Sequence, residues 1–318
     1  MHIALTGASG LLGSALVPAL RSEGHDIVRL VRGDVSAPDQ VSWDPARGKL
    51  DPATLQGVEA VINLSGAPVA GHRWSAAQKQ LIRSSRVEAT TTLALALAAA
   101  EPRPRLLLSA SAIGWYGPTG DIAVDEATPA GTGYFPSVVR AWEAATEPAE
   151  LAGIRVLHLR TGLVLTGNGG LLGSGVQLPG GLKVPMLTLF KLGAGGKLGN
   201  GRQWQSWISL ADEIGAIQFL LREAEVRNLS GAVNLTAPEP VRNTELTSAL
   251  GAALHRPTVL PVPKFALRAA IGEFADEAVA SQRVLPRVLL DAGYQFAHRT
   301  IDQGVDAALH HDPTTSPD

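Results

Sequence analysis

The chain has 318 residues, 45% of them hydrophobic and 18% charged, with a formal net charge of -2 at pH 7 and no cysteine. That balance gives no electrostatic case for nucleic acid or an anionic membrane surface, and the missing thiols exclude disulfides, thiolate zinc sites, iron–sulfur clusters and cysteine nucleophiles. No apolar run reaches the roughly 18 residues that span a bilayer, and the N-terminus enters a strand without a signal-peptide pattern, so the expectation is a cytoplasmic protein acting on a small molecule.

The first predicted strand, His2 to Thr6, runs straight into Gly7-Ala8-Ser9-Gly10-Leu11-Leu12-Gly13. Glycines spaced GxxGxxG between a strand and a helix are what a pyrophosphate requires of a backbone. Gly7 permits the tight turn, Gly10 lets N–H groups approach the phosphates, and Gly13 lets the helix pack against the sheet. The helix then faces the anion with unpaired N–H groups and the positive end of its dipole. Leu11, Leu12, Ala15, Leu16, Ala19 and Leu20 recur at helical spacing, and a second strand at Ile27 to Val31 completes a βαβ unit. A P-loop would need Lys and Ser or Thr after its last glycine, where Ser14-Ala15 stands. At the end of the second strand an acidic residue would hold a ribose 2′-hydroxyl, whereas arginine accommodates a 2′-phosphate. Arg32 stands there, 19 residues past Gly13, and no Asp or Glu occupies positions 28–33; NADP(H) is favoured.

Further strands are predicted at Ala60 to Leu64, Arg105 to Ser109 and Arg155 to Leu159, with one long helix over Ser75 to Ala100 and another over Tyr134 to Leu151. This alternation predicts an α/β fold with a doubly wound parallel sheet in residues 1–165. The third strand ends in Asn63-Leu64-Ser65-Gly66-Ala67, small residues that let the chain pass close to a cofactor. From Thr166 to Ser206 glycine and proline dominate without periodicity, the pattern of a functional loop or lid. Helical spacing returns over residues 210–223, a helix expected to rejoin the first domain. A strand-like Ala232 to Leu235, a helix over Thr244 to Leu254 and further helices to about Leu309 follow. Residues 166–209 and 224–309 are expected to form the substrate side and a smaller C-terminal α+β domain. Residues 310–318 read as a disordered tail, His310-His311 included, and no metal site is expected.

Three segments in this order, TGASGLLG at 6–13, NLSGA at 63–67 and SASAIGWYG at 109–117, resemble the extended short-chain dehydrogenase/reductase superfamily. Trp43-Asp44-Pro45, Arg73-Trp74, Ser85-Arg86-Val87, Trp142-Glu143, Arg160-Thr161-Gly162, Gly199-Asn200-Gly201-Arg202 and Trp207-Ile208 narrow the likeness to its nucleoside-diphosphate-sugar epimerase-like branch. The stretch from Asn234 onward is similar to the small domain that ends that branch. The resemblance implies a Rossmann domain holding NADP(H), hydride transfer on a nucleotide-sugar-like or other small polar substrate, and a homodimer of the kind extended relatives form. Along the cofactor it places Gly7, Ser9, Gly10, Leu11, Leu12, Gly13, Arg32, Asn63, Leu64, Ser65, Gly66, Ser85, Ser109, Arg160, Thr161 and Gly162. Toward the substrate it places Arg73, Trp74, Tyr116 and Arg202, with His72 beside them.

Short-chain dehydrogenases are similar in using a tyrosine as general acid/base, a lysine four residues later, and a serine. Positions i and i+4 share a helix face, so the ammonium can lower a phenol pKa that is otherwise about 10. Ser111 fits the serine, and Tyr134, 23 residues on, is the best candidate for the tyrosine. Val138 stands where the lysine belongs; the nearest cation along the helix is Arg140, six residues on and about 240° around an ideal helix. Arg86 occupies the position where extended relatives carry asparagine. Two readings follow: an NADP(H)-dependent oxidoreductase or epimerase working through Ser111, Tyr134 and Arg140, or an NADP(H)-binding sensor or regulatory protein with altered chemistry.

Overall fold

A computed structural model describes residues 1–70, 74–177 and 183–310 of the chain. The first half builds β1 (His2–Thr6), α1 (Leu11–Ser22), β2 (Asp26–Arg32), β3 (Gln40–Trp43), β4 (Ala60–Asn63), α2 (Ala76–Ala99) and β5 (Leu106–Ala112). After a short strand β6 (Ala123–Val124) come α3 (Tyr134–Ala144), α4 (Glu147–Leu151), β7 (Arg155–Thr161) and β8 (Leu163–Thr166). The main sheet has seven strands in the order Gly231–Leu235, β7, β5, β4, β1, β2, β3, and every neighbouring pair is parallel.

The sheet forms because its central strands are apolar on both faces: Ile3, Ala4 and Leu5 of β1 and Val61 and Ile62 of β4 are fully buried. On one face α1 supplies Leu16 and Leu20 to a core shared with Ile214, Ile217 and Leu220 of the helix Leu210–Glu223. On the other, Leu93 and Leu97 of α2 pack over Leu107, Val61 and Trp43. Ser75 starts α2 by accepting the Gln78 N–H at 3.1 Å. The chain winds outward from β1 through β2 to β3, then returns to build β4, β5 and β7 on the opposite side. Strand direction around β1 and β4 thus creates the crevice where α/β sheets bind ligands.

Four expectations change. The strand Gly231–Leu235, grouped by sequence with the C-terminal region, is an edge strand of the main sheet, in register with β7 from Gly231 opposite Leu157 to Leu235 opposite Thr161. The helix expected over Tyr134 to Leu151 is two helices, because Thr146 turns its hydroxyl onto the Glu143 carbonyl and α4 restarts with Pro148 in its first turn. The glycine-rich stretch from Thr166 carries order of its own: a turn of helix at Gly170–Gly173, a hairpin of Gly175–Gln177 with Lys183–Pro185, and the helix Met186–Lys191. Finally, His310 closes the helix Ile301–His310, and the rest of the expected tail, 311–318, lies outside the described residues. Among the described residues no helix is long and apolar enough to cross a membrane.

Candidate functional site

The turn between β1 and α1 has the geometry its glycines require. Gly7 has φ +72°, and a Cβ there would stand 2.7 Å from the Leu64 carbonyl oxygen. A Cβ on Gly13 would stand 2.3 Å from the Gly7 carbonyl oxygen, so helix and turn touch backbone to backbone. Gly10 caps α1 without a side-chain hydrogen bond, and the first turn holds no acidic residue. The leading N–H groups at Leu11, Leu12 and Gly13 are left for an anion from outside, with Ser9 and Gly10 exposed beside them. These features fit a dinucleotide pyrophosphate.

The two arginines of β2 have different tasks. Arg29 is closed onto Asp39 by two hydrogen bonds, Nε to Oδ2 at 2.7 Å and Nη2 to Oδ1 at 2.6 Å, which holds the Asp39 carboxyl down to about 2. Arg32, at the C-terminal end of the same strand, is exposed, and its side chain makes no hydrogen bond or ion pair with a described residue.

The next two strand ends hold a buried row. Thr6, Asn63 and Ser109 are register partners across β1, β4 and β5. Asn63 accepts the Thr6 hydroxyl at 2.8 Å and donates to Thr90 at 2.9 Å and Ser109 at 3.3 Å. Asn63 and Ser109 were expected along the cofactor; their side chains are buried and spent on each other, so they support the crevice floor from beneath. Above them Leu64, Ser65 and the exposed Gly66 form the loop itself, and Ser85 fixes it by accepting the Ala67 N–H at 3.0 Å.

A second row crosses β5, β7 and the edge strand: Ser111 is opposite Arg160, and Arg160 opposite Asn234. Because paired positions in a parallel sheet face the same side, all three point toward α3, where Glu143 stands among Val139 and Trp142 on the buried face. Ser111 donates to Glu143 Oε1 at 2.5 Å. Arg160 closes a fork on the same carboxylate, Nε to Oε1 at 2.8 Å and Nη2 to Oε2 at 2.9 Å, and gives its remaining arm to the Tyr116 hydroxyl at 3.1 Å. Tyr116 donates to Asn234 at 2.8 Å, and the guanidinium lies 3.9 Å from the Trp115 ring centre. Burial pushes the Tyr116 phenol up to about 12 despite Arg160, so it stays protonated. Arg160 and Tyr116 were expected to face cofactor and substrate; both are interior members of this network. Glu143 is the member that sequence reasoning left without a role.

Tyr134 is elsewhere. Nine residues precede Glu143 on α3, about 13 Å along the axis. Its hydroxyl donates to the Lys79 carbonyl at 2.7 Å, and its ring packs edge-on against Trp74 with centres 5.3 Å apart. Burial raises the phenol, opposed by the charges of Arg86 and Arg83 on α2. Val138 is buried in this aromatic cluster and Arg140 is exposed, so the expected Ser111–Tyr134–Arg140 constellation is not assembled. The cation facing Tyr134 comes from α2, not α3. Trp74, expected at the substrate, is buried here with Nε1 on the Val69 carbonyl at 3.1 Å. Arg202 is exposed and borders a cleft of about 510 Å³ with Asp121, Arg242 and Lys264. His72 and Arg73 lie outside the described residues.

At the end of β7, Thr161 donates to Glu213 Oε1 at 2.7 Å, and Glu213 Oε2 is buried without a hydrogen-bond partner among the described residues. Burial pushes this carboxyl up to about 8. Gly162 is a packing glycine, since a Cβ there would stand 2.6 Å from the Ser206 carbonyl oxygen.

A glycine turn opening onto the crevice of a doubly wound sheet defines a Rossmann-type nucleotide-binding protein. Residues 3–235 match the NAD dependent epimerase/dehydratase family, residues 262–308 match a domain of unknown function, and the chain belongs to that epimerase/dehydratase family. An epimerase family protein of Mycobacterium bovis is 46% identical over 307 residues, 96% of this chain and 97% of the relative. The Arabidopsis thaliana chloroplastic homolog of epimerase family protein SDR39U1 is 35% identical over 97% of this chain and 87% of its own. Among solved structures, human epimerase family protein SDR39U1 with NADPH superposes with a TM-score of 0.85 at 28% identity, covering 98% of this chain and all (100%) of that one. The resemblance drawn from TGASGLLG, NLSGA and SASAIGWYG is therefore borne out at the level of family and fold.

Proposed function

We propose that the chain is an NADP(H)-dependent oxidoreductase or epimerase acting on a small polar substrate of nucleotide-sugar type. One observation carries the reading: an anion-ready turn at Gly7–Gly13 with an unpartnered Arg32 at the end of β2, suited to a 2′-phosphate. The similar human protein crystallised with NADPH supports it. When bound, the nicotinamide supplies hydride acceptance and donation.

The protein's part falls to the row behind β5. Ser111, itself 4% exposed, donates its only hydroxyl hydrogen bond to Glu143, so its lone pairs remain to accept a hydrogen bond from a substrate hydroxyl that reaches it. A hydroxyl proton arriving at Ser111 is matched by the Ser111 proton crossing to Glu143, and Arg160 holds the carboxylate in line throughout. Tyr134, bonded to the Lys79 carbonyl, stands outside this route. Spectrophotometric turnover with sugar nucleotides and small carbonyl compounds tests the proposal. Ser111→Ala is expected to lower kcat/KM by about 100-fold, within the range of general acid–base contributions, and Tyr134→Phe to leave it within about threefold.

The second reading, a cofactor-binding sensor with altered chemistry, is favoured by Val138 in the lysine position and by the engaged Tyr134 hydroxyl. It takes over if NADPH binds and no carbonyl or sugar substrate is turned over.

A further inference from the structure

Three arginines, Arg29 and Arg86 part-buried and Arg160 buried, show how this chain uses a guanidinium. Arg29 and Arg160 each present the Nε–Nη2 edge, the fork that matches two oxyanion oxygens, and in each that edge is filled by an internal carboxylate, Asp39 or Glu143. Arg86 is the exception. It is half-buried on α2, and its hydrogen bonds come from Nη1 alone, to the Ala67 and Ile82 carbonyls at 3.0 Å each. Among the described residues Nε and Nη2 have no partner, and no carboxylate lies within ion-pair distance. Burial brings this guanidinium down to about 10, opposed by the Tyr134 phenol.

The open fork is also held rigid. Two carbonyls pin one arm, and the Trp142 ring lies 4.9 Å from Cζ. Gly66 lets the loop that ends β4 lie over the guanidinium, since a Cβ there would stand 3.2 Å from Cζ and crowd the group. Arg86 lies beside the loop that ends β4, on the side of Tyr134, whereas the cofactor phosphates already have the α1 N-terminus. The geometry points to Arg86 as a bidentate receptor for an oxyanion of the substrate, a carboxylate or a phosphate, on the α2 side of the loop that ends β4. This rests on the reading of the sheet edge as an NADP(H) site and names the substrate class for it: an anionic one.

The test titrates sodium acetate and, separately, inorganic phosphate into NADPH-saturated protein, with chloride holding ionic strength constant, and follows the thermal midpoint. The wild type is expected to be stabilised saturably by at least one of the two, and the stronger arm tells carboxylate from phosphate. Arg86→Gln should weaken that apparent affinity at least tenfold. Arg86→Lys, which keeps charge without the fork, should weaken it at least threefold and decides the matter if the glutamine variant does not fold. Equal responses in wild type and variants, or no response to either anion in the wild type, overturn the proposal. So does a tenfold loss of NADPH affinity in Arg86→Gln, which would assign the fork to the cofactor. NADPH binding by the wild type is measured first; if it fails, the cofactor reading falls by itself and the same anion titration is run on the free protein.

Discussion

Glu143 receives the Ser111 hydroxyl at 2.5 Å on the same oxygen that Arg160 grips through Nε. A helix residue thereby links two neighbouring strands of the sheet, and a serine at a strand end is fixed as an acceptor toward its surroundings. The missing lysine of a YxxxK pair reads differently in this light: the charged partner of the serine is a buried acid balanced by an arginine.

Removing that acid leaves Arg160, 4% exposed, without its counter-charge. Glu143→Ala should therefore cost about 3–5 kcal/mol of stability, the usual penalty for breaking a buried pair from one side. The double variant Glu143→Leu with Arg160→Met should recover most of the loss, because the orphaned charge goes as well. Denaturant unfolding of the three proteins checks this, and a single-variant loss below about 1 kcal/mol would show that water replaces the carboxylate.

Glu213 gives a pH dependence with a definite sign. Its folded carboxyl sits at about 8 against 4.5 for the free group, so between those values the folded state holds a proton that the unfolded chain has released. Stability from this group is then fully present below pH 4.5 and falls as pH rises toward 8. Glu213→Gln, which keeps an acceptor for Thr161, should flatten the fall, and its advantage in thermal midpoint should widen from pH 5 to pH 8. A constant difference across that range would mean the carboxyl is ionised in the fold.

Two glycines separate packing from backbone conformation. Gly13→Ala places a Cβ into the Gly7 carbonyl, so the turn must open and NADPH affinity should fall at least tenfold. Gly24→Ala, at φ +82° with nothing within 4 Å, should cost about 1–2 kcal/mol of stability and leave NADPH affinity unchanged. Fluorescence titration and thermal unfolding of both variants distinguish the effects.

The sequence was legible where one local rule governs. His2–Thr6 and the glycine turn follow from apolar continuity and turn sterics, and α2 from apolar positions recurring at three and four. Short Gln40–Trp43 was missed because half of its four residues are polar and its place at the sheet edge asks for little apolar surface. Glu143 carried a signal that could have been used: an acidic residue directly beside Trp142 and four after Val139 falls on an apolar helix face, which requires a buried partner. The identity of that partner was out of reach, since Arg160 arrives through strand register and not through spacing.

In the proposed function the Gly7–Gly13 turn and Arg32 together select NADP(H). Equilibrium fluorescence titration of wild type and Arg32→Ala with NADPH and NADH tests it most directly. Tighter NADPH than NADH binding is expected of the wild type, with Arg32→Ala losing about 10- to 100-fold in NADPH affinity and little in NADH affinity, the scale of one charge-assisted contact. Equal affinities for the two nucleotides in the wild type, or a preference that survives Arg32→Ala, would contradict it.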